Sequence, residues 1–128
     1  MKKTTRKKGP RSGAQNNAAM SMVCKLAGLP VPKHEQMLVP GRKWRVDLCW
    51  PEWGLVMEIE GGIWTGGRHV RPAGFKADCE KYNALAVQGY ALLRILPDWI
   101  ENGKALTLLI DWLTARAIPT QGTDDGVL

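Results

Sequence analysis

Apolar residues recur along the chain with two different periods, and each change of period marks an element. Across residues 14–27, Ala19, Met22, Val23 and Leu26 fall at helical spacing, and Gly28 followed by Pro30 stops the run. Pro30, Pro32, Pro40 and Gly41 then bracket His34–Val39, which reads as a short strand. Two extended runs follow, Trp44–Trp50 and Leu55–Glu60, joined by Pro51-Glu52-Trp53-Gly54, a composition suited to a tight turn. Residues 61–74 hold Gly61, Gly62, Gly66, Gly67, Pro72 and Gly74 and predict a loop. Helical spacing returns over Phe75–Gln88, with Phe75, Cys79, Tyr82 and Ala86 on one stripe and Gly89 as its stop. Tyr90–Leu96 is a strand ended by Pro97, Asp98 suits the cap of a short helical turn, and Lys104–Ala117 is an amphipathic helix. The order helix, three strands, helix, strand, helix predicts one α/β domain of the α+β type. Its three antiparallel strands and a fourth form a mixed central sheet flanked by helices.

The hairpin carries the first sign of chemistry. If Trp50 and Leu55 close the turn, Leu48 faces Met57, Asp47 faces Glu58, Val46 faces Ile59 and Arg45 faces Glu60. One face is then wholly apolar. The other carries Arg45, Asp47, Glu58 and Glu60, with Cys49 and Val56 near the turn. Like charges placed directly opposite destabilise a sheet, so Asp47 facing Glu58 calls for compensation. A hard divalent cation is one candidate, because Mg²⁺ takes a few carboxylate oxygens and keeps water for the rest of its octahedron. A solvated polar face, with Arg45 pairing Glu60, is the other.

Charge changes the picture outside the hairpin. The chain has 128 residues, with 18 Lys and Arg against 12 Asp and Glu, a net of +6. Lys2, Lys3, Arg6, Lys7, Lys8 and Arg11 supply all of that excess, so residues 14–128 are formally neutral. A basic arm on a neutral body points to a polyanionic partner, nucleic acid before membrane. Residues 1–13 are expected to be a disordered basic tail, 14–117 the domain, and 118–128 a flexible C-terminal tail. Residues 98–128 hold five acids against Lys104 and Arg116 and are expected to face away from a polyanion. Cys24, Cys49 and Cys79 are widely spaced and odd in number, which argues against a disulfide framework or zinc ribbon and fits a reducing cytoplasm. No apolar run is long enough to span a bilayer, and Gln15, Asn16 and Asn17 stand where a signal peptide would be apolar.

The stretch Arg45-Val-Asp-Leu-Cys-Trp-Pro-Glu, followed by Glu58-Ile-Glu-Gly-Gly-Ile-Trp-Thr-Gly-Gly-Arg-His and a helix from Phe75, resembles the PD-(D/E)XK nuclease core. Within that superfamily it is similar to small phage and prophage endonuclease-like proteins related to the very-short-patch-repair endonucleases. The resemblance spans about residues 14–112. It implies that Asp47 and Glu58 are metal-binding acids for Mg²⁺, or Mn²⁺ in its place, with the backbone carbonyl of Ile59 as a third ligand. Glu60 occupies a catalytic position where the family usually has lysine, and Val46 stands where the motif has proline. Lys81, on the second helix, is either the replacement for that lysine or a surface residue paired with Asp78 at i, i+3. Glu35 on the first strand is either a further acid of the metal shell or a solvated strand residue. In the glycine-rich loop, Arg68 and Arg71 suit phosphate contacts, and His69 is either an exposed loop residue or, as the resemblance implies, a catalytic one, acting as general acid or base or positioning the phosphate. Trp64 either stacks on a base or anchors the loop. Arg42, Lys43 and Arg45 suit phosphate contacts before the active strand. Trp44, Trp50, Trp53, Trp99 and Trp112 read as packing residues.

Three functions are then expected in descending order. The first is an Mg²⁺-dependent endodeoxyribonuclease acting in the cytoplasm of a bacterial host, at the nucleoid. The second is a catalytically inactive nucleic-acid-binding module that retains the fold, which the missing lysine favours. The third, an RNA-binding accessory protein, explains the arm but not the convergence of Asp47, Glu58 and Glu60. A double-strand cut would require a homodimer, whose interface is not legible in the sequence.

Overall fold

The computed structural model describes residues 11–61 and 72–120. Helix α1 (Gly13–Leu26) leads into strands β1 (Lys33–Gln36), β2 (Val46–Trp50) and β3 (Leu55–Ile59). Helix α2 (Pro72–Val87), strand β4 (Ala91–Ile95) and helices α3 (Pro97–Asn102) and α4 (Lys104–Ala115) complete the order. The sheet runs β1-β2-β3-β4, antiparallel across its first two seams and parallel between β3 and β4. The protein is therefore a mixed α/β domain with a four-stranded mixed sheet, as the alternation of periods predicts.

Local chemistry explains where the elements start and turn. Ser12 caps α1, its hydroxyl accepting from the Gln15 N–H while the Gln15 side chain accepts from the Ser12 N–H. Arg11 donates to the Pro97 carbonyl at 3.2 Å and lies 3.7 Å from Glu101. Arg11, Ser12 and Gly13, expected in a disordered arm, therefore belong to the folded body. Between β2 and β3 the chain makes a short 3-10 turn over Pro51–Trp53, and Gly54 closes it at φ +58°, a left-handed conformation that costs glycine little. The hairpin register is the expected one, with Leu48 opposite Met57, Cys49 opposite Val56 and Trp50 opposite Leu55.

Both faces of the sheet are covered. Leu48, Trp50, Leu55 and Met57 pack with Met20 and Cys24 of α1 and with Ile100, Ala105, Leu109 and Leu113 of α3 and α4. The Trp50 indole, wholly buried, gives its N–H to the Pro30 carbonyl at 2.9 Å. On the opposite face, Cys49 and Val56 pack with Leu85 of α2. Val46 joins that second cluster rather than the apolar face assigned to it by strict alternation.

Several expectations are corrected. Of the expected α1 stripe, Ala19 and Val23 pack against the core, whereas Met22 and Leu26 are 53% and 80% exposed and the fully inward positions are Asn16, Asn17, Met20 and Cys24. On α2, Tyr82 faces inward as expected, but Phe75, Cys79 and Ala86 lie outside, and Asp78, Lys81 and Leu85 turn inward instead. The first strand ends at Gln36, short of Val39. Asp98 does not cap α3: Leu96 holds that position without a side-chain bond, and Pro97 starts the helix. Among the described residues no helix is long and apolar enough to cross a membrane.

Candidate active site

The β2–β3 ladder stops at Leu48 and Met57, and acidic side chains take over from it. Continuing the same register, Asp47 stands opposite Glu58. The Asp47 N–H donates to Glu58 Oε2 at 2.8 Å, and the Ile59 N–H donates to Asp47 Oδ2 at 2.8 Å. Each carboxylate thus satisfies a backbone donor of the opposite strand, which holds the two acids in a fixed relation at the end of the hairpin.

Lys81 completes the cluster from α2. Its Nζ lies 2.8 Å from Glu58 Oε1 and 2.8 Å from the Arg45 carbonyl oxygen. Of the two readings open in the sequence, this geometry excludes a surface lysine spent on Asp78. The ion pair is partly desolvated, because Glu58 is only 7% exposed. Two carboxylates meet one ammonium here, so the pair keeps a net negative charge, and Lys81 offsets it only weakly at Asp47. Burial raises the Asp47 carboxyl from 3.8 to about 6, opposed by the Ile59 N–H and reinforced by the negative charges of Glu58 and Glu35.

A second polar cluster sits alongside. Glu60 does not pair with Arg45. Its Oε2 instead accepts from Arg94 Nε of β4 at 2.9 Å and from the Tyr82 hydroxyl at 3.2 Å. The Arg94 guanidinium also lies over the Tyr82 ring, 4.7 Å from its centroid. Burial and the neighbouring Glu60 raise the Tyr82 hydroxyl, keeping it protonated as a donor. Tyr82 and Arg94 were not singled out in the sequence, since Tyr82 fits an apolar stripe and Arg94 is a lone cation in an apolar strand.

Glu35 is drawn aside. It adopts φ +54°, and its Oε2 accepts from Asn17 Nδ2 of α1 at 3.1 Å. Arg42, Lys43 and Arg45 are exposed on the approach to β2, with Arg42 over the Trp44 ring at 3.7 Å. Trp44, Trp53, Trp99 and Trp112 are half-buried, as packing residues should be. Lys2, Lys3, Arg6, Lys7, Lys8, Trp64, Arg68, His69 and Arg71 lie outside the described residues.

The donor set matches a hard divalent cation in kind: two fixed carboxylates, one of them raised by burial and carrying unbalanced charge. Asp47 Oδ1 accepts no hydrogen bond among the described residues, whereas both Glu58 oxygens are engaged. Among the described residues no group of three or more His, Cys, Asp or Glu side chains converges on one point. A cation here would therefore rest on Asp47 and Glu58, with main-chain oxygen and water for the rest.

Fold and site together define a mixed α/β domain with a paired-carboxylate and lysine site at the open end of a hairpin. Comparison with protein-family models, curated proteins and solved structures finds no match to the chain.

Proposed function

We propose that the chain is a metal-dependent DNA endonuclease that hydrolyses backbone phosphodiester bonds. The observation that carries this reading is the Asp47–Glu58 pair, cross-bonded through the backbone and met by Lys81 at 2.8 Å. The order of elements, with β4 parallel to β3 behind an antiparallel three-strand unit, agrees with the PD-(D/E)XK resemblance and supports it. Mg²⁺ or Mn²⁺, held by Asp47, Glu58 and the Ile59 carbonyl, would supply charge stabilisation at the phosphate and lower the pKa of the attacking water. Lys81 takes the place of the lysine absent at position 60: it offsets the charge of Glu58 and presents an ammonium where a water or phosphate oxygen must be held. Exposed Arg42, Lys43 and Arg45 and the cationic residues of the N-terminal stretch grip the DNA backbone. One such site nicks one strand, and a double-strand cut requires a homodimer. The reading places the protein at the nucleoid of a bacterial host.

A non-catalytic DNA-binding module is the second reading, favoured by the Lys81 contact with Glu58 Oε1, which occupies an oxygen that a cation would need. Incubating the full chain with labelled linear, mismatched, flapped and four-way DNAs, with and without Mg²⁺ or Mn²⁺, separates the two. The first predicts divalent-dependent product from at least one substrate, the second salt-sensitive binding and no product.

A further inference from the structure

We infer that Arg94 is a phosphate-binding residue, its guanidinium fork preset to take the anionic oxygens of a nucleic-acid phosphodiester beside the Asp47–Glu58 pair. The inference rests on the nucleic-acid reading of that site for the identity of its ligand.

Arg94 is held in two ways that leave its working end open. Its Nε donates to Glu60 at 2.9 Å, and its plane lies over the Tyr82 ring. Neither Nη1 nor Nη2 donates to any group among the described residues, and the side chain is 49% exposed. A two-point pairing, the frequent arrangement for arginine on a carboxylate, would engage a terminal amino group with Glu60. Here the carboxylate takes the Nε edge alone, Tyr82 touches both partners, and the two terminal amino groups stay without a bond among the described residues. Holding the plane in advance lowers the entropy lost when the fork meets an anion.

Arg94 on β4 is in direct register with Glu58 on β3, and neighbouring strands lie about 4.8 Å apart. Glu58 in turn touches Asp47 and Lys81. The fork is thus within a side-chain length of the carboxylate pair, on the sheet face that α2 covers. The two acids alone would repel a phosphodiester, and Lys81 already contacts Glu58, so Arg94 adds an exposed cation beside the pair. This also gives a reason for glutamate at position 60: it anchors Arg94.

The test is binding of the full chain to a short labelled duplex, followed by fluorescence anisotropy across a salt series without divalent ions. Arg94→Gln is expected to weaken binding about ten-fold or more and to reduce the slope of log K against log salt by about 0.9, the loss of one phosphate contact. Arg94→Lys keeps the charge, so it should retain the slope while losing part of the affinity. It also carries the test should the glutamine variant fail to fold. Lys104→Gln, on α4 and remote from the site, should leave the slope unchanged. Wild-type slope and affinity in both Arg94 variants would overturn the inference, as would a wild-type chain that shows no salt-sensitive binding. Because the readout needs no cleavage, an altered slope in a chain that never cuts upholds the phosphate contact and rejects the endonuclease. Unaltered binding by the Arg94 variants of a chain that does cut has the opposite meaning.

Discussion

Replacing Asp47 with Asn should make the folded protein more stable at neutral pH, although it removes the residue on which the proposed chemistry most depends. The Asn side-chain oxygen can still accept the Ile59 N–H that Asp47 Oδ2 accepts at 2.8 Å. What it removes is a charge that burial and Glu58 disfavour. A carboxyl raised from 3.8 to about 6 weakens the fold at pH 7.5 by up to roughly 3 kcal/mol relative to acid, at 1.36 kcal/mol per pH unit. Partial solvent access at Asp47 reduces that to about 2 kcal/mol, or about 5–10 °C in Tm for a domain of this size. The sign follows from the raised value. The folded state binds a proton that the unfolded state has released between pH 3.8 and about 6, so wild-type stability falls as pH rises through that window. Below pH 3.8 the carboxyl is protonated in both states and the advantage of the Asn variant should disappear. Urea denaturation of both proteins at pH 3.5, 5 and 7.5 measures it. An Asn variant no more stable than wild type at pH 7.5, or one whose advantage persists unchanged at pH 3.5, refutes the claim that Asp47 is a desolvated, disfavoured charge.

Lys81→Met should act in the opposite direction, destabilising the fold by about 2–4 kcal/mol, because Glu58 is left buried without its cation. Adding Glu58→Gln should recover much of that loss, and a double-mutant cycle by chemical denaturation reads the coupling directly. Ser12→Ala, away from the site, should cost about 1 kcal/mol in thermal unfolding by deleting the capping box of α1. It should leave the pH dependence of stability unchanged.

The hairpin was legible because its constraints are local. Pro51 to Gly54 allows little freedom in the turn, and with that turn set, the alternation of Leu48, Trp50, Leu55 and Met57 leaves Asp47 facing Glu58. The face of α1 was legible only in part, at Ala19 and Val23, because the pattern counts apolar residues while two asparagines, Asn16 and Asn17, take inward positions. Asn17 is explained by its bond to Glu35, and no signal near Asn17 in the sequence points to a partner eighteen residues away. The stripe of α2 failed for a related reason. Tyr82 lies inward as the stripe predicts, but Lys81, with a long apolar body and a polar end, turns inward beside it to reach Glu58, and Phe75 and Cys79 are left outside. Arg94 was beyond local reading altogether. Its place beside Glu58 depends on the parallel pairing of β3 with β4, which only the tertiary fold establishes.

Single-turnover cleavage by wild type, Asp47→Asn and Glu58→Gln, on the best substrate of the DNA panel and over a titration of Mg²⁺, tests the central claim most directly. The account predicts Mg²⁺-dependent cutting by wild type and a fall of about 100-fold or more in each variant, the scale of losing one group that stabilises charge in the transition state. Both variants should retain a cooperative unfolding transition. Equal cutting by all three proteins, or cutting by wild type that does not respond to Mg²⁺ or Mn²⁺, would contradict the assignment of Asp47 and Glu58 as the metal-holding pair.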